Sequence, residues 1–365
     1  MKLIHGGNLD EIERLFGINK SEIKDFSGNI NPMGVPESVK KAIIQNLDSI
    51  SQYPDEEHEV LRKSISCYTE TVTEHILVGN GSTELISAFI RTINPKKAAV
   101  VSPAYSEYEK EIKKLGGKVL LFPLLECDDF RLNTSKLFDK LDSDTSLLVI
   151  CNPNNPTGTA LNENEMEKIL IHCKQKNIFV MVDETYAEFP DEGENITSAT
   201  LVRKHDNLFV IRGTSKFFSV PGLRLGYAMC SNIEMKEKIN TKRDLWSVGS
   251  LSVAAGIEMF SDKEFVNRTR QFISSERKRL ISELNTFKEL RPYESKSNFI
   301  LIKIINPEVK SSYLFSELIK KKLLIRDVSG FPYLDESFIR ICILSREDNN
   351  LLLEALRAVM PAQKS

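Results

Sequence analysis

From about residue 76 the chain alternates short apolar runs with stretches whose apolar residues recur at helical spacing. HILV (75–78), AAVVSP, KVLLFPL, SLLVICNP (146–153), NIFVMVDETY, NLFVIRG and LRLGYAMC read as strands. STELISAFIRTI, YSEYEKEIKKLG and NENEMEKILIHCKQKN, lying between them, read as helices. Continuous apolar strands separated by amphipathic helices predict a mostly parallel sheet covered on both faces. That block ends near residue 245, and a long polar helix is expected from about 262, in SDKEFVNRTRQFISSERKRLISELN. The rhythm then changes. NFILIKI, a helix at 310–321, LLIRDV, SFIRICIL and a last helix at 346–358 predict a small α+β unit. The predicted fold class is α/β: a large domain over 46–260 built as a three-layer, mostly parallel sheet, and a small α+β C-terminal domain over 261–365. Residues 1–45 carry no strong pattern and are expected to form an N-terminal arm that belongs with the small domain.

Composition narrows the chemistry. Lys and Arg total 49 against 51 Asp and Glu, a net charge of -2, so nothing draws the protein to nucleic acid or an anionic membrane. Any anion must be gripped by a local pocket. The cysteines at 67, 127, 151, 173, 230 and 342 form no CxxC pair, and no His sits at zinc-ligand spacing from them. Scattered thiols in a reducing compartment, with no metal site, are expected. MKLIHGGNLDE lacks the apolar core of a signal peptide, and no run reaches the ~20 apolar residues of a membrane span. The sequence therefore reads as cytoplasmic.

In open parallel sheets, ligands sit beyond the carboxyl ends of the strands. Five predicted strand ends carry unusual polar clusters: GNGSTE, SPAY, NPNNPTG, DETY and GTSK. GNGSTE opens a helix whose free amides suit a phosphate, although taken alone it reads better as a plain N-cap by Ser82 with Glu84 nearby. NPNNPTG presents the amide of Asn155 in a proline-stiffened loop. Asp183 at a strand end suits a protonated ring nitrogen, and Tyr186 a ring oxygen. Lys216 stands behind Thr214 and Ser215, beside Phe217 and Phe218, with Arg224 eight residues on. A partly desolvated lysine near another cation has its pKa lowered toward a usable nucleophile. A phosphate cradle, a carboxylate for a pyridinium, donors for a phenolic oxygen and an amine for an aldehyde together describe a pyridoxal phosphate site. Tyr105, in SPAY, suits stacking on the ring.

GNGSTE, SPAY, NPNNPTG, VDETY, and SK followed by PGLRLGY resemble the fold type I aminotransferase superfamily, in its histidinol-phosphate aminotransferase branch, over about residues 25–345. The resemblance implies a covalent link between Lys216 and the cofactor, with Asp183 on the pyridine nitrogen. It places Asn155 and Tyr186 at the ring oxygen, and Ser82, Thr83, Ser215 and Arg224 on the phosphate, with Gly81 and Tyr105 completing the cofactor-binding set. Tyr53, in SQYPDEE, resembles the family's tyrosine that reaches into the neighbouring subunit's phosphate site, which implies a homodimer with shared active sites.

Two features bear on the reaction. HGGN at 5–8, followed by DFSGNINP at 25–32, resembles the L-threonine-O-3-phosphate decarboxylases of cobalamin biosynthesis. That makes His5 and Asn29 substrate contacts, with Asn155 beside them. The second is a pair of arginines, Arg326 in LLIRDVSG and Arg340 in SFIRICIL; Arg340, between apolar neighbours on both faces, is expected to be buried, where a charge needs a partner. An internal ion pair, for instance of Arg340 with Asp335, is one reading. A doubly anionic phosphorylated amino acid is the other, and the resemblance favours it. The leading expectation is decarboxylation of L-threonine O-3-phosphate, with L-serine O-phosphate a competitor. The alternatives are histidinol-phosphate aminotransferase, working with glutamate and 2-oxoglutarate, and a non-catalytic sensor on the same fold. The bulky Phe-Pro-Tyr segment after Arg326 stands where a smaller turn is expected and bears on pocket size.

Overall fold

A computed structural model describes residues 6–360. The N-terminal stretch contains α1 (Leu9–Phe16), β1 (Lys24–Asp25), α2 (Glu37–Gln45) and α3 (Glu59–Thr69). The alternating block follows as β2 (Ile76–Asn80), α4 (Gly81–Ile93), β3 (Lys97–Ser102), α5 (Ser106–Lys114), β4 (Lys118–Pro123) and α6 (Thr134–Lys140). It continues through β5 (Thr145–Cys151), α7 (Glu163–Gln175), β6 (Phe179–Asp183), β7 (Leu208–Gly213) and β8 (Leu225–Met229). Helices α8 (Ile233–Asn240), α9 (Ser250–Ser261) and α10 (Lys263–Leu284) lead into β9 (Leu290–Pro292), β10 (Phe299–Ile304), α11 (Ser311–Lys320), β11 (Leu323–Leu324), β12 (Arg326–Asp327), β13 (Phe338–Cys342) and α12 (Arg346–Val359).

The main sheet has 7 strands in the order β2-β8-β7-β6-β5-β3-β4. Only β8 runs against the others. Alternate residues feed opposite faces, as the pleat requires. Leu148, Ile150, Val180 and Val182 join one apolar cluster, whereas Leu147, Val149, Met181 and Phe209 join another. Helices cover both faces, so the α/β three-layer architecture is the one the apolar runs predict. Local signals agree with it: Asn162 and Glu165 close a capping box at the start of α7, and Asp262 caps α10.

A second sheet of 4 strands, β12-β13-β10-β9, is antiparallel. The run LLIRDV, read as one strand, is two. Leu323 and Leu324 pair in parallel with Lys24 and Asp25, while Arg326 and Asp327 pair with β13. The backbone changes partner at Ile325, a switch that side-chain alternation does not record. The pairing of β1 with β11 ties the N-terminal stretch to the C-terminal part of the chain. The patternless opening also holds a short helix, α1, which buries only Ile12 and is capped by Asn8 and Gly17. Among the described residues, no helix is long and apolar enough to cross a membrane.

Candidate active site

The parallel strands end along one edge of the main sheet, and β8, running the other way, begins there. Arg224, one residue before β8, therefore lies beside the residues that follow β6 and β7. The two sheets and the segment 27–29 enclose a cavity of about 640 Å³. Ser82, Thr83, Tyr105, Asn155, Asp183 and Tyr186 line it from the strand ends. Ser215, Lys216 and Arg224 close its floor, and Asn29, Arg326 and Arg340 face them. Tyr53 lies elsewhere, 79% exposed and packed 4.6 Å from the ring of Trp246. His5 lies outside the described residues. Among the described residues, no group of His, Cys, Asp or Glu is placed to hold a metal.

Lys216 Nζ donates to the carbonyl of Gly28 at 2.7 Å. Burial lowers its pKa to about 8, and the Arg340 guanidinium adds to the effect. Asp183 is buried, and its Oδ1 accepts from the Thr185 amide at 2.9 Å and the Thr185 hydroxyl at 2.6 Å. Its Oδ2 accepts from the Tyr108 hydroxyl. Burial pushes the Asp183 carboxyl up, against the pull of these bonds. Tyr108 is a site residue that the sequence reading misses. It follows Tyr105 by three positions at the start of α5, one helical turn, and that spacing is the available signal.

The end of the cavity at the start of α4 depends on close packing of backbone. Helix α4 begins at Gly81 after Asn80, which makes no side-chain cap. Ser82 is therefore not the N-cap but lies inside the first turn, and the leading amides keep their donors. Gly81 has φ 76°, and a Cβ there would come 2.5 Å from Arg224 Nη2. A Cβ on Gly226 would come 2.5 Å from the Ser82 amide nitrogen. These glycines bring the helix start, the guanidinium and β8 within reach of one another. Arg224 itself sits in the left-handed region at φ 54° and donates to Pro221 O at 3.1 Å.

The segment DFSGNIN crosses the site and offers its carbonyls to site cations. Ser27 O accepts from Arg340 Nη2 at 2.6 Å, and Gly28 O from Lys216. Asn29, also left-handed at φ 56°, donates from Nδ2 to the Tyr186 hydroxyl at 3.1 Å, while its Oδ1 is buried without a hydrogen-bond partner. Gly6 packs so tightly on this segment that a Cβ would meet Ser27 O at 2.2 Å.

Arg326 and Arg340 are direct cross-strand partners on β12 and β13, so their side chains share a face. They are 7% and 4% exposed. Burial, with the Arg340 charge next, lowers Arg326 to about 10. Arg340 makes no ion pair with Asp335, which instead accepts from the Ser337 amide at 2.8 Å. Its guanidinium bonds neutral oxygens, those of Ser27 and the Asn155 side chain, and its buried Nε has no partner. Like charges directly opposite in a sheet are destabilising, and burial makes them more so.

This donor set suits pyridoxal phosphate. Asn155 Oδ1 already accepts from Arg340, which leaves the amide NH2 to donate, and the Tyr186 oxygen already accepts from Asn29, which leaves its proton to donate. Asp183 is a buried carboxylate bonded to neutral Thr185 and Tyr108, in want of a cation. Lys216 is an amine close to its titration point at neutral pH.

Comparison with known proteins agrees. Residues 21–356 match the family described as Aminotransferase class I and II. A threonine-phosphate decarboxylase of Salmonella typhimurium is 32% identical over 98% of this chain and 96% of its own. A histidinol-phosphate aminotransferase of Methanococcus aeolicus is 29% identical over 98% and 95%. The crystal structure of the histidinol-phosphate aminotransferase from Clostridium acetobutylicum superposes with a TM-score of 0.85 at 31% identity, covering 92% of this chain and 98% of that one. With the buried amine, the buried acid and the two opposed arginines lying within the matched span, the chain belongs to the class I and II aminotransferase family of pyridoxal-phosphate-dependent enzymes.

Proposed function

We propose that this enzyme removes CO2 from L-threonine O-3-phosphate, giving (R)-1-aminopropan-2-yl phosphate for cobalamin biosynthesis. The observation that carries this reading is the opposed, buried pair Arg326 and Arg340. A substrate with a carboxylate and a phosphate brings two anionic groups to two guanidiniums, which suit both in fork geometry. Histidinol phosphate brings one anion and an imidazole, whose protonated form a pair of cations repels, although the glutamate of the aminotransferase reaction brings two carboxylates to the same pair. The likeness to a protein named threonine-phosphate decarboxylase supports the same choice.

Ser82, Thr83, Ser215 and Arg224 hold the cofactor phosphate, Lys216 binds its aldehyde carbon, Asp183 its ring nitrogen, and Asn155 and Tyr186 its ring oxygen. When bound, pyridoxal phosphate supplies the electron sink for charge left at the substrate Cα. Arg340 and Arg326 orient the substrate by its two anions, and so decide which Cα bond breaks. Lys216, with a pKa of about 8, holds a proton near neutrality and delivers it to Cα once CO2 has left. Asn29 fixes the Tyr186 hydroxyl. Residues 1–45 and 261–365 act as one small domain against the large domain of 46–260. The enzyme is a homodimer: Tyr53 and Trp246 form an exposed aromatic pair beside Leu245 and Ile50, an apolar face suited to a second copy, from which Tyr53 reaches the neighbouring subunit's phosphate site.

The test is incubation of the holoenzyme with O-phospho-L-threonine and no oxo acid. CO2 is expected over many turnovers. Activity only when histidinol phosphate and 2-oxoglutarate are supplied together would replace this reading with the aminotransferase, which the likeness to the Clostridium acetobutylicum enzyme keeps as the second reading.

A further inference from the structure

The hairpin that joins the two arginine strands carries the bulky segment Gly330-Phe331-Pro332-Tyr333, and three facts give it a role. First, Gly330, Phe331 and Pro332 line the same cavity as Lys216 and Arg326. Second, the Phe331 ring lies under the Arg326 guanidinium, with 5.8 Å from Cζ to the ring centroid, within the range of a cation–π contact. Third, the loop is held by a turn and by one contact across to the main sheet. The Phe331 amide donates to Val328 O at 2.9 Å, and the Tyr333 hydroxyl reaches across to the Leu121 carbonyl on β4 at 3.0 Å. Tyr333 holds φ 64°, a left-handed conformation that a bulky residue adopts only when its surroundings impose it. Ile325 and Phe315 line the same cavity.

We propose that Phe331 is a specificity-determining residue, and that Tyr333 is the positioning residue that holds it over the substrate. This rests on the reading of the substrate as a phosphorylated hydroxy amino acid. The ring does two things at once. Its face fixes the plane of Arg326, and with Ile325 and Phe315 it forms an apolar wall beside a cation. A substrate whose anionic group is attached through a carbon bearing a methyl fills both features. The unmethylated homologue leaves the wall without a partner. The segment that makes the turn bulkier than its place in the fold requires is thus the part that reads the substrate side chain.

The experiment compares O-phospho-L-threonine with O-phospho-L-serine on wild-type holoenzyme and on Phe331→Ala, Phe331→Leu and Tyr333→Phe. A methyl contact gives about tenfold or more in kcat/KM. Wild-type enzyme is expected to show that ratio in favour of the threonine compound. Phe331→Ala is expected to bring it toward one. Phe331→Leu keeps bulk at the wall and is expected to hold the ratio within about threefold of wild type. Tyr333→Phe is expected to raise KM with little change in kcat. The ratio is read within one preparation, so partial loss of folded protein cancels. The same ratio is also read without turnover, by titrating the visible absorbance of the holoenzyme with each compound. If wild type releases no CO2, the decarboxylase reading fails, and the absorbance titration still decides the role of Phe331. A wild-type ratio of about one, or a Phe331→Ala ratio equal to that of wild type, would overturn the proposal.

Discussion

Arg340→Gln tests the electrostatics of the site most sharply. The side chain keeps an amide group but loses the charge and the reach of the guanidinium. Lys216 falls from the ordinary 10.5 to about 8 mainly because it is buried, and next because Arg340 repels its ammonium form. With the charge gone the burial remains, so the pKa should climb partway back. A neighbouring charge moves the pKa of a titrating group by about 1–3, so a rise on the order of one is expected. Condensation with the cofactor aldehyde uses the neutral amine, whose fraction grows as pH rises through the pKa. The assay is the initial rate of colour development when apoprotein meets pyridoxal phosphate, followed from neutral to alkaline pH. Wild type should climb through about 8 and level off above it. The variant's curve should lie to the alkaline side, and at neutral pH its rate should be lower by about tenfold for a midpoint one pH unit higher. An unmoved or more acidic midpoint would refute the reasoning, as would a wild-type midpoint near that of a free lysine.

Three further expectations follow from neighbouring contacts. Tyr108→Phe removes a buried hydrogen bond to the Asp183 carboxyl; bonds to charged groups contribute about 1.5–3 kcal/mol to stability, so the melting temperature of the apoprotein should fall, and cofactor affinity measured by absorbance titration should fall as Asp183 loses its fixed orientation; an unchanged melting temperature and affinity would show that the bond carries no weight. Gly6→Ala places a methyl against Ser27 O and should shift the segment that meets Arg340 and Lys216, raising substrate KM while circular dichroism stays that of wild type; an unchanged KM would show that the close approach is incidental. In the proposed shared-site dimer, Tyr53→Ala and Lys216→Ala, each crippled alone, should regain activity when mixed and re-dimerised, since one of the hybrid's two sites then keeps both residues; no recovery in a demonstrated hybrid would place Tyr53 outside the neighbouring site.

Much of the fold is legible in the sequence because strands betray themselves by apolar runs and ligands gather at strand ends. The polar clusters around Ser82, Tyr105, Asn155, Asp183 and Lys216 can be read as one site from residue order alone, and the structure does bring them around one cavity. What escapes depends on backbone pairing. The facing of Arg326 and Arg340 is set by strand register, which pattern alone does not supply. The roles of the Ser27 and Gly28 carbonyls are invisible in sequence because every residue has a carbonyl. Gly6 looks like part of a motif, and only the packing shows that it makes room for a crossing chain. The break at Ile325 hides at the end of a continuous apolar run, Leu323-Leu324-Ile325.

Treating the yellow holoprotein with borohydride and mapping its peptides tests the central claim directly. Mass spectrometry should find the reduced cofactor adduct on Lys216 and on none of the other lysines. An adduct elsewhere, or a protein that binds the cofactor and yields no adduct at Lys216, would contradict the account.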